Sequence, residues 1–134
     1  MAVVLDSTAI VGFLDHEDAL HDAADARVRQ LLPAEALLAS VISLAELLTG
    51  AARGHHSHAV VRGFFDEVLS AILPVDVGVA ERAAELRGDR DSLRMPDALI
   101  LATADLHPDA GLVVCGDAAW RQVRGLACEV ELLA

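Results

Sequence analysis

The stretch Val3-Val4-Leu5-Asp6-Ser7-Thr8-Ala9-Ile10 near the start of the chain decides the fold. Its leading apolar residues predict a short buried strand that stops at a carboxylate, and the hydroxyl residues after Asp6 can begin a helix. In open α/β sheets, ligands bind in the crevice beyond the carboxyl ends of the strands, which places Asp6 at the mouth of that crevice. An equally good interpretation is that Asp6 only caps the helix that begins near Ser7.

Length and composition predict one domain, residues 1–134, with a single compact core. The hydrophobic fraction is 54%, but charges interrupt every apolar run before the ~20 residues that a membrane span needs. We also expect no secretory signal, because no basic region followed by a long apolar stretch opens the chain. Cys115 and Cys128 form no C-x-x-C pair, which fits reduced, buried thiols and predicts a cytoplasmic protein.

The formal net charge of -11 argues against a nucleic-acid partner, since the summed field of the protein would repel a polyanion. Either the partner is not a polyanion or local cations overcome that field. Two groups of arginines are candidates, one around a histidine-rich loop and one in a later segment: Arg53 and Arg62, then Arg82, Arg87, Arg90 and Arg94. For each arginine taken alone, a solvated surface position is the favoured interpretation.

The rest of the chain alternates helical and extended patterns. Apolar residues at helical spacing predict helices over residues 18–32, 43–54, 55–72, 79–87 and 95–104. Short apolar or extended runs lie at residues 36–41, 72–75, 112–115 and 128–133, the second marked by Pro74 as an edge or an end. A short helix carrying Trp120 follows Gly116 and Asp117, and Phe64 with Phe65 is assigned to the core.

This alternation predicts a mostly parallel sheet covered by helices on both faces. In such a sheet the carboxyl ends of the strands and the amino ends of the helices share one edge. Asp6 and Asp117 end strands, and Glu46 and Asp97 are predicted in first turns of helices, so the four carboxylates should face one crevice. Part of this gathering has a structural explanation, because helix dipoles favour acids at amino ends and Ser43-x-x-Glu46 fits a capping box.

Four neighbouring anions repel one another and raise the pKa of at least one of them unless a cation is bound. Oxygen ligands without His or Cys suit Mg²⁺ or Mn²⁺, and such ions can activate water for attack on a phosphodiester. A shared divalent-metal site is therefore an alternative to helix capping as the explanation of these four carboxylates. His55, His56 and His58 offer a rival Zn²⁺ or Ni²⁺ site, against which a flexible polar loop is the favoured interpretation.

Four segments of the chain resemble a known family. They are Leu5-Asp6-Ser7-Thr8-Ala9; Ser43-Leu44-Ala45-Glu46-Leu47 followed by Gly50; residues 96–104; and Val113-Val114-Cys115-Gly116-Asp117 with Trp120. Their order and spacing are similar to those of the PIN-domain nucleases, and the size and layout look most like the VapC-type toxins of bacterial toxin-antitoxin pairs. The resemblance covers nearly the full chain.

The resemblance implies a three-layer α/β/α PIN-like fold with a central, mostly parallel sheet. It implies a Mg²⁺- or Mn²⁺-dependent endoribonuclease that cleaves structured RNA, such as tRNA or ribosomal RNA, by metal-activated water. It also implies a small VapB-type antitoxin that binds and inhibits, and a homodimer as the usual unit.

Carried over by position, the family's acidic site falls on Asp6, Glu46, Asp97 and Asp117 as catalytic metal ligands. Thr8 matches a hydroxyl or amide that supports the first aspartate or a water on the metal. The chain departs from the pattern at Cys115, where the family usually has Thr, and at Ala119, where many relatives carry another acid. The first departure removes a hydroxyl that could support Asp117, and the second removes an acid that could help to bind a second metal.

Two other functional classes remain open. A PIN-like module that binds its partner without cleaving is favoured by Cys115 and Ala119. A phosphatase or phosphotransferase can also begin with a strand that ends in Asp, but its second acid usually stands two residues on, where this chain has Thr8. If the substrate is RNA, arginines beside the crevice could meet its phosphates, and the sequence assigns none individually: Arg53, Arg62, Arg87, Arg90 or Arg94.

Overall fold

The computed structural model describes residues 1–88 and 90–134. In chain order, the elements within these ranges are β1 (Ala2–Leu5), α1 (Ser7–Leu14), α2 (His21–Leu31), β2 (Ala36–Ser40), α3 (Val41–Ala52), α4 (His58–Gly63), β3 (Ala71–Leu73), α5 (Val77–Gly88), α6 (Met95–Leu106), β4 (Ala110–Cys115) and β5 (Glu129–Leu132). A π-helical turn spans Phe64–Val68, and a 3-10 helix spans Ala118–Gln122. None of the helices in the described ranges is long and apolar enough to cross a lipid bilayer.

The strands form one sheet in the order β3-β2-β1-β4-β5, and every neighbouring pair is parallel. Strand β1 is central, with Val3 opposite Leu37 of β2 and Leu5 opposite Val114 of β4. The predicted parallel sheet is confirmed, and β3 lies at an edge, as the proline after it suggested. Because all strands run the same way, their carboxyl ends share one edge of the sheet.

Helices cover both faces of the sheet, which gives the three layers that were expected. Val3 and Leu5 pack on one face with residues of α1, α2 and α3, whereas Val4 packs on the other face with α5 and α6. These side chains alternate because successive residues of a strand point to opposite faces. Phe64 and Phe65 lie buried in the first of these two clusters, which confirms their assignment to the core. In the described part of the chain, both cysteines are buried and unpaired, also as predicted.

The prediction of one continuous helix over residues 55–72 was wrong. Helix α4 begins only at His58, where Ser57 caps it, and the chain widens into the π-helical turn before it becomes extended at Leu69. The extended backbone lets Ser70 donate its N–H to Leu37 at 2.8 Å, which leads into β3 beside β2. Pairing with the sheet thus overrides the helical pattern of this segment.

Helix α3 begins at Val41 rather than at Ser43. Ser40 is its N-cap, and the Ser40 hydroxyl accepts the N–H two residues further on at 3.1 Å. Ser43 is therefore inside the helix, fully buried, and its hydroxyl lies 3.0 Å from that of Ser7. The predicted capping box between Ser43 and Glu46 was wrong, so helix capping does not explain the presence of Glu46.

Helix α2 begins at His21 rather than at Asp18. The carboxylate of Asp18 instead accepts the N–H of Leu20 at 2.9 Å and holds a turn between α1 and α2. His21 donates its Nδ1–H to the carbonyl of Gly12 at 2.8 Å, which ties the start of α2 back to α1. The two helices are thereby fixed beside the carboxyl end of β1.

Candidate active site

The four predicted acidic residues lie at the carboxyl edge of the sheet. Asp6 follows β1 directly, and Asp117 follows β4 after one glycine. Asp97 is in the first turn of α6, as predicted, whereas Glu46 is in the second turn of α3 because that helix begins earlier than expected. The fold thus brings carboxylates from four separate segments to the same edge of the sheet.

Asp6 is the most buried of the four, with 2% of its surface exposed. Its Oδ1 accepts the N–H of Ala9 at 3.0 Å, so Asp6 is the N-cap of α1. The hydroxyl of Thr8 donates to the same carboxylate, 2.7 Å from Oδ1 and 3.0 Å from Oδ2. The capping interpretation and the site interpretation of Asp6 are therefore compatible.

Thr8 also connects two strand ends. Its Oγ1 accepts the N–H of Gly116 at 2.7 Å, which links the end of β1 to the end of β4. A Cβ at position 116 would come within 3.0 Å of that oxygen and closer still to Leu20, so the segment needs glycine for this approach. Through this bridge, Thr8 fixes the position of Asp6 relative to the segment that carries Asp117.

Burial raises the pKa of Asp6 from 3.8 to about 6. The hydrogen bonds from Ala9 and Thr8 oppose this rise, and the negative charge of Asp97 adds to it. Near neutral pH, Asp6 is thus a carboxylate that is costly to ionise within the protein.

Asp97 interacts electrostatically with the other acids of the site. Burial raises the pKa of Asp97, the nearby charge of Arg94 lowers it, and the charges of Glu46 and Asp117 raise it. Arg94 is mostly exposed, and its Nε lies 3.6 Å from Oδ2 of Asp97. The repulsion that the sequence predicted among these carboxylates is therefore present, and one arginine of the chain partly offsets it.

Glu46 is held by a residue whose role the sequence analysis missed. The hydroxyl of Ser7 donates to Oε1 of Glu46 at 2.6 Å and lies 3.0 Å from the hydroxyl of Ser43. The sequence indicates for Ser7 only a place at the start of a helix. Its place in the turn beside Asp6 was the available signal, but its partner on α3 is 39 residues away in sequence and could not be inferred from spacing.

Asp117 is supported by the backbone. Its Oδ1 accepts the N–H of Ala119 at 2.9 Å, so it caps the 3-10 helix. The thiol of Cys115 contacts the main-chain carbonyl of Asp117 at 3.6 Å, not its carboxylate. Burial raises the pKa of Cys115 to about 12, and the negative charge of Asp6 contributes to this rise. Cys115 is thus a neutral thiol behind the site.

The carboxylates form an all-oxygen donor set that suits a hard divalent cation. As they stand, no three His, Cys, Asp or Glu side chains of residues 1–88 and 90–134 are close enough together to hold a metal ion. This finding also gives no support to a Zn²⁺ or Ni²⁺ site at His55, His56 and His58. His56 instead packs on α3, because a Cβ at Gly50 would lie 2.6 Å from its ring.

Most of the candidate arginines have structural partners. Arg62 pairs with Asp66 one turn away, and Nε of Arg87 donates to the carbonyl of Leu93 at 2.7 Å. Arg53 ends α3, which runs away from the carboxyl edge. Of the predicted group, Arg94 and Arg90 remain beside the acidic residues.

A groove of about 330 Å³ lies against the acidic site, between α1 and α3. Its apolar wall is formed by Val11, Leu20 and Leu47, and Glu46 and Asp18 supply carboxylates. The groove therefore offers apolar contact next to negative charge.

A parallel sheet covered on both faces, with acidic residues at its carboxyl edge, defines an α/β protein whose oxygen donors are of the kind that suits divalent cations. The family model described as "PIN domain" matches residues 3–126. The chain belongs to the PIN-domain family, which confirms the resemblance seen in the sequence.

Solved structures of VapC-type proteins share the fold. The structure of VapBC2 from Rickettsia felis bound to a DNA fragment from their promoter has a TM-score of 0.75 and 18% identity, covering 97% of this chain and 98% of that chain. VapC20 of Mycobacterium tuberculosis, described as a sarcin-ricin loop cleaving toxin, has a TM-score of 0.77 and 17% identity, covering 94% and 98%. VapBC-5 of the same species has a TM-score of 0.65 and 25% identity, covering 99% and 98%. No curated protein matches in sequence.

Proposed function

We propose that this chain is a Mg²⁺- or Mn²⁺-dependent endoribonuclease, the toxin of a VapBC-type pair, which acts on structured cytoplasmic RNA such as tRNA or ribosomal RNA. The observation that carries the proposal is the position of four carboxylates, those of Asp6, Glu46, Asp97 and Asp117, at the carboxyl edge of the sheet of a PIN-domain protein. Burial raises the pKa of Asp97, Arg94 lowers it, and the charges of Glu46 and Asp117 raise it. Such a group of anions in a PIN fold is stabilised by a bound cation.

The metal would be held by Asp6, Glu46, Asp97 and Asp117. When bound, a divalent cation lowers the pKa of a water that attacks phosphorus and neutralises charge on the phosphate. The protein's own contribution is to fix the carboxylates. Thr8 orients Asp6, Ser7 orients Glu46, and the backbone of the 3-10 helix orients Asp117.

The proposed inhibitor is a small VapB-type antitoxin with a basic, partly apolar segment. Val11, Leu20 and Leu47 give its apolar side chains a wall, and an arginine or lysine would face Glu46. A charge-assisted hydrogen bond to this carboxylate would compete with the metal. The homodimer implied by the resemblance stays a prediction, which light scattering on the purified chain would test.

A second candidate, a PIN-like module that binds without cleaving, is favoured by one observation. The carboxylates of the described residues are not grouped tightly enough to hold a metal as they stand. In this case the site would accept the basic partner, but no cation would assemble it for catalysis.

RNA cleavage with a matched pair of variants separates the two. We expect the wild type to cut a structured RNA only with Mg²⁺ or Mn²⁺, and Asp97→Asn to lose most of this activity. Asp109→Asn removes an equal charge at the opposite edge of the sheet, because Asp109 precedes β4, and should cleave like the wild type.

Expression in cells extends this test. The wild type and Asp109→Asn should arrest growth, and Asp97→Asn should relieve the arrest at equal protein level. A folded Asp97→Asn protein that cleaves RNA and arrests growth as well as the wild type would refute the catalytic proposal. A wild type that binds RNA yet never cleaves it would favour the binding module.

A further inference from the structure

Two adjoining cavities connect the acidic site to a group of arginines. A small cavity of about 20 Å³ is lined by Asp97, Asp117 and Arg90. A larger one of about 270 Å³ is lined by Arg90, Arg82 and Arg124. Arg90 and Val123 belong to both, so the two cavities form one continuous surface that leads away from the carboxylates.

The charge of this surface differs from that of the whole chain. The larger cavity is lined by three arginines and Glu85, on a protein with formal net charge -11. Arg82 is paired with Glu85 and Asp105, which leaves the charges of Arg90 and Arg124. These two positive charges favour a phosphate at this cavity on a chain that is negative overall. Among the described residues, neither Arg90 nor Arg124 has a carboxylate within salt-bridge distance.

Arg82 builds the wall that carries Arg124. Its Nε donates to Asp105 at 2.7 Å, and its Nη2 donates to the carbonyl of Gly125 at 2.9 Å. Asp105 in turn accepts the N–H of Ala127 at 2.6 Å. These hydrogen bonds therefore hold the loop that carries Arg124 against α5 and α6.

We propose that Arg90 and Arg124 form a phosphate subsite that binds the RNA backbone beside the carboxylates. The inference rests on the proposed function, because the carboxylates proposed to cleave the RNA lie next to this subsite. It resolves the charge problem of the sequence: the acidic site receives the cleaved phosphate once cations are bound, and the arginines hold a phosphate further along the strand. Arg90 and Arg124 are binding residues and have no part in bond cleavage.

The salt dependence of RNA binding tests the subsite without any cleavage. The probe is a fluorescein-labelled single-stranded RNA of mixed sequence, followed by anisotropy in EDTA at increasing monovalent salt. Each phosphate contact on a single strand contributes about 0.7 to the slope of log K against log salt. Because Arg90 and Arg124 together hold one phosphate, we expect Arg90→Gln with Arg124→Gln to lower the slope by about 0.7 and to weaken binding at low salt.

The matched control is Arg29→Gln with Arg53→Gln, which lowers the net charge equally. Both control arginines end helices that run toward the amino edge of the sheet, and both are exposed. The control should keep the wild-type slope, and circular dichroism checks that all variants are folded. Equal slopes for the two double variants, or a wild type that shows no binding at low salt, would overturn the subsite.

Failure of the subsite and failure of the nuclease are distinguishable. If the wild type cleaves RNA with metal but Arg90→Gln with Arg124→Gln keeps the wild-type salt slope, the nuclease proposal stands and the subsite is refuted. A lowered slope without any cleavage leaves the subsite on a protein that binds RNA.

Discussion

The hydroxyl of Ser7 lies 2.6 Å from Oε1 of Glu46, so the first turn of α1 holds a carboxylate that α3 contributes. This contact joins two helices across the carboxyl edge of the sheet. It also leads to Ser43, whose buried hydroxyl lies 3.0 Å from Ser7. The site is therefore a hydrogen-bonded assembly as well as a group of negative charges.

Ser7→Ala should weaken both stability and activity. The change leaves Glu46 without a donor and the hydroxyl of Ser43 without its partner, and we expect a loss of about 1 to 2 kcal/mol in the free energy of unfolding. Urea unfolding measures this loss. Ser70→Ala, at an exposed serine, should stay within about 0.5 kcal/mol of the wild type. Equal stability of the two variants would show that the Ser7 contact contributes little.

The sequence predicted the sheet well because its strands are short, apolar and bounded by clear helix signals. It predicted helix boundaries less well. The Ser43 to Glu46 spacing imitates a capping box, yet Ser40 starts the helix instead. The segment of residues 55–72 has a helical stripe, but backbone pairing of β3 with β2 ends its helix early. In both cases tertiary contacts overrode a local pattern.

Part of the candidate site could also be predicted from the sequence. Parallel topology alone brings Asp6 and Asp117 to one edge, so strand ends in the sequence were enough to place them. The contacts of Ser7 with Glu46 and of Thr8 with Gly116 join residues far apart in sequence, and no spacing rule finds them. The roles of these residues in catalysis stay predictions.

Thr8→Val should raise the pKa of Asp6 further. The substitution keeps the shape of the side chain but removes the hydroxyl, so Asp6 loses a donor that lowers its pKa and the N–H of Gly116 loses its acceptor. We expect the pKa of Asp6 to exceed the wild-type value of about 6 and the unfolding free energy to fall by about 1 to 3 kcal/mol. Carbon-detected NMR titration follows the carboxylate. Thr8→Ser keeps the hydroxyl and should titrate like the wild type; a Thr8→Val pKa at or below the wild-type value would contradict the argument.

Arg82→Ala should be more destabilising than removal of a surface arginine. It leaves Asp105, whose side chain is 7% exposed, without its cation, and it frees the carbonyl of Gly125. Breaking such a partly buried pair costs about 2 to 4 kcal/mol. Arg29→Ala breaks an exposed pair with Asp25 and should cost less than about 1 kcal/mol. Similar midpoints of thermal unfolding for both variants would show that the contacts of Arg82 with Asp105 and Gly125 contribute little to stability.

Cys115→Thr should leave activity nearly unchanged. The family's usual hydroxyl is missing here, but the thiol faces the carbonyl of Asp117, and the carboxylate of Asp117 is held by the N–H of Ala119. Restoring a hydroxyl therefore adds no donor to the carboxylate as it is now placed. Cleavage rates across an Mg²⁺ and Mn²⁺ titration provide the measurement. A large gain in metal-dependent cleavage would show that support of Asp117 is limiting after all.

Asp6→Asn should remove a pH-dependent cost to stability in metal-free protein. Asp6 has a folded pKa of about 6 against 3.8 in the unfolded chain, so the folded state binds the proton more tightly. Stability from this group is present at low pH and falls as pH rises from about 4 to 6, by roughly 3 kcal/mol. The difference in unfolding free energy between Asp6→Asn and the wild type should therefore grow in favour of the variant over this window and then level off.

Chemical denaturation in EDTA from pH 4 to 8 measures this difference, with Asp109→Asn as a control that should follow the wild type. Adding Mn²⁺ at pH 7 should restore the lost stability in the wild type, because a cation favours the ionised carboxylate, and should do little for Asp6→Asn. A wild type whose stability rises through this pH window would contradict the raised pKa of Asp6. A wild type that Mn²⁺ stabilises no more than it stabilises Asp6→Asn would show that Asp6 does not bind the metal.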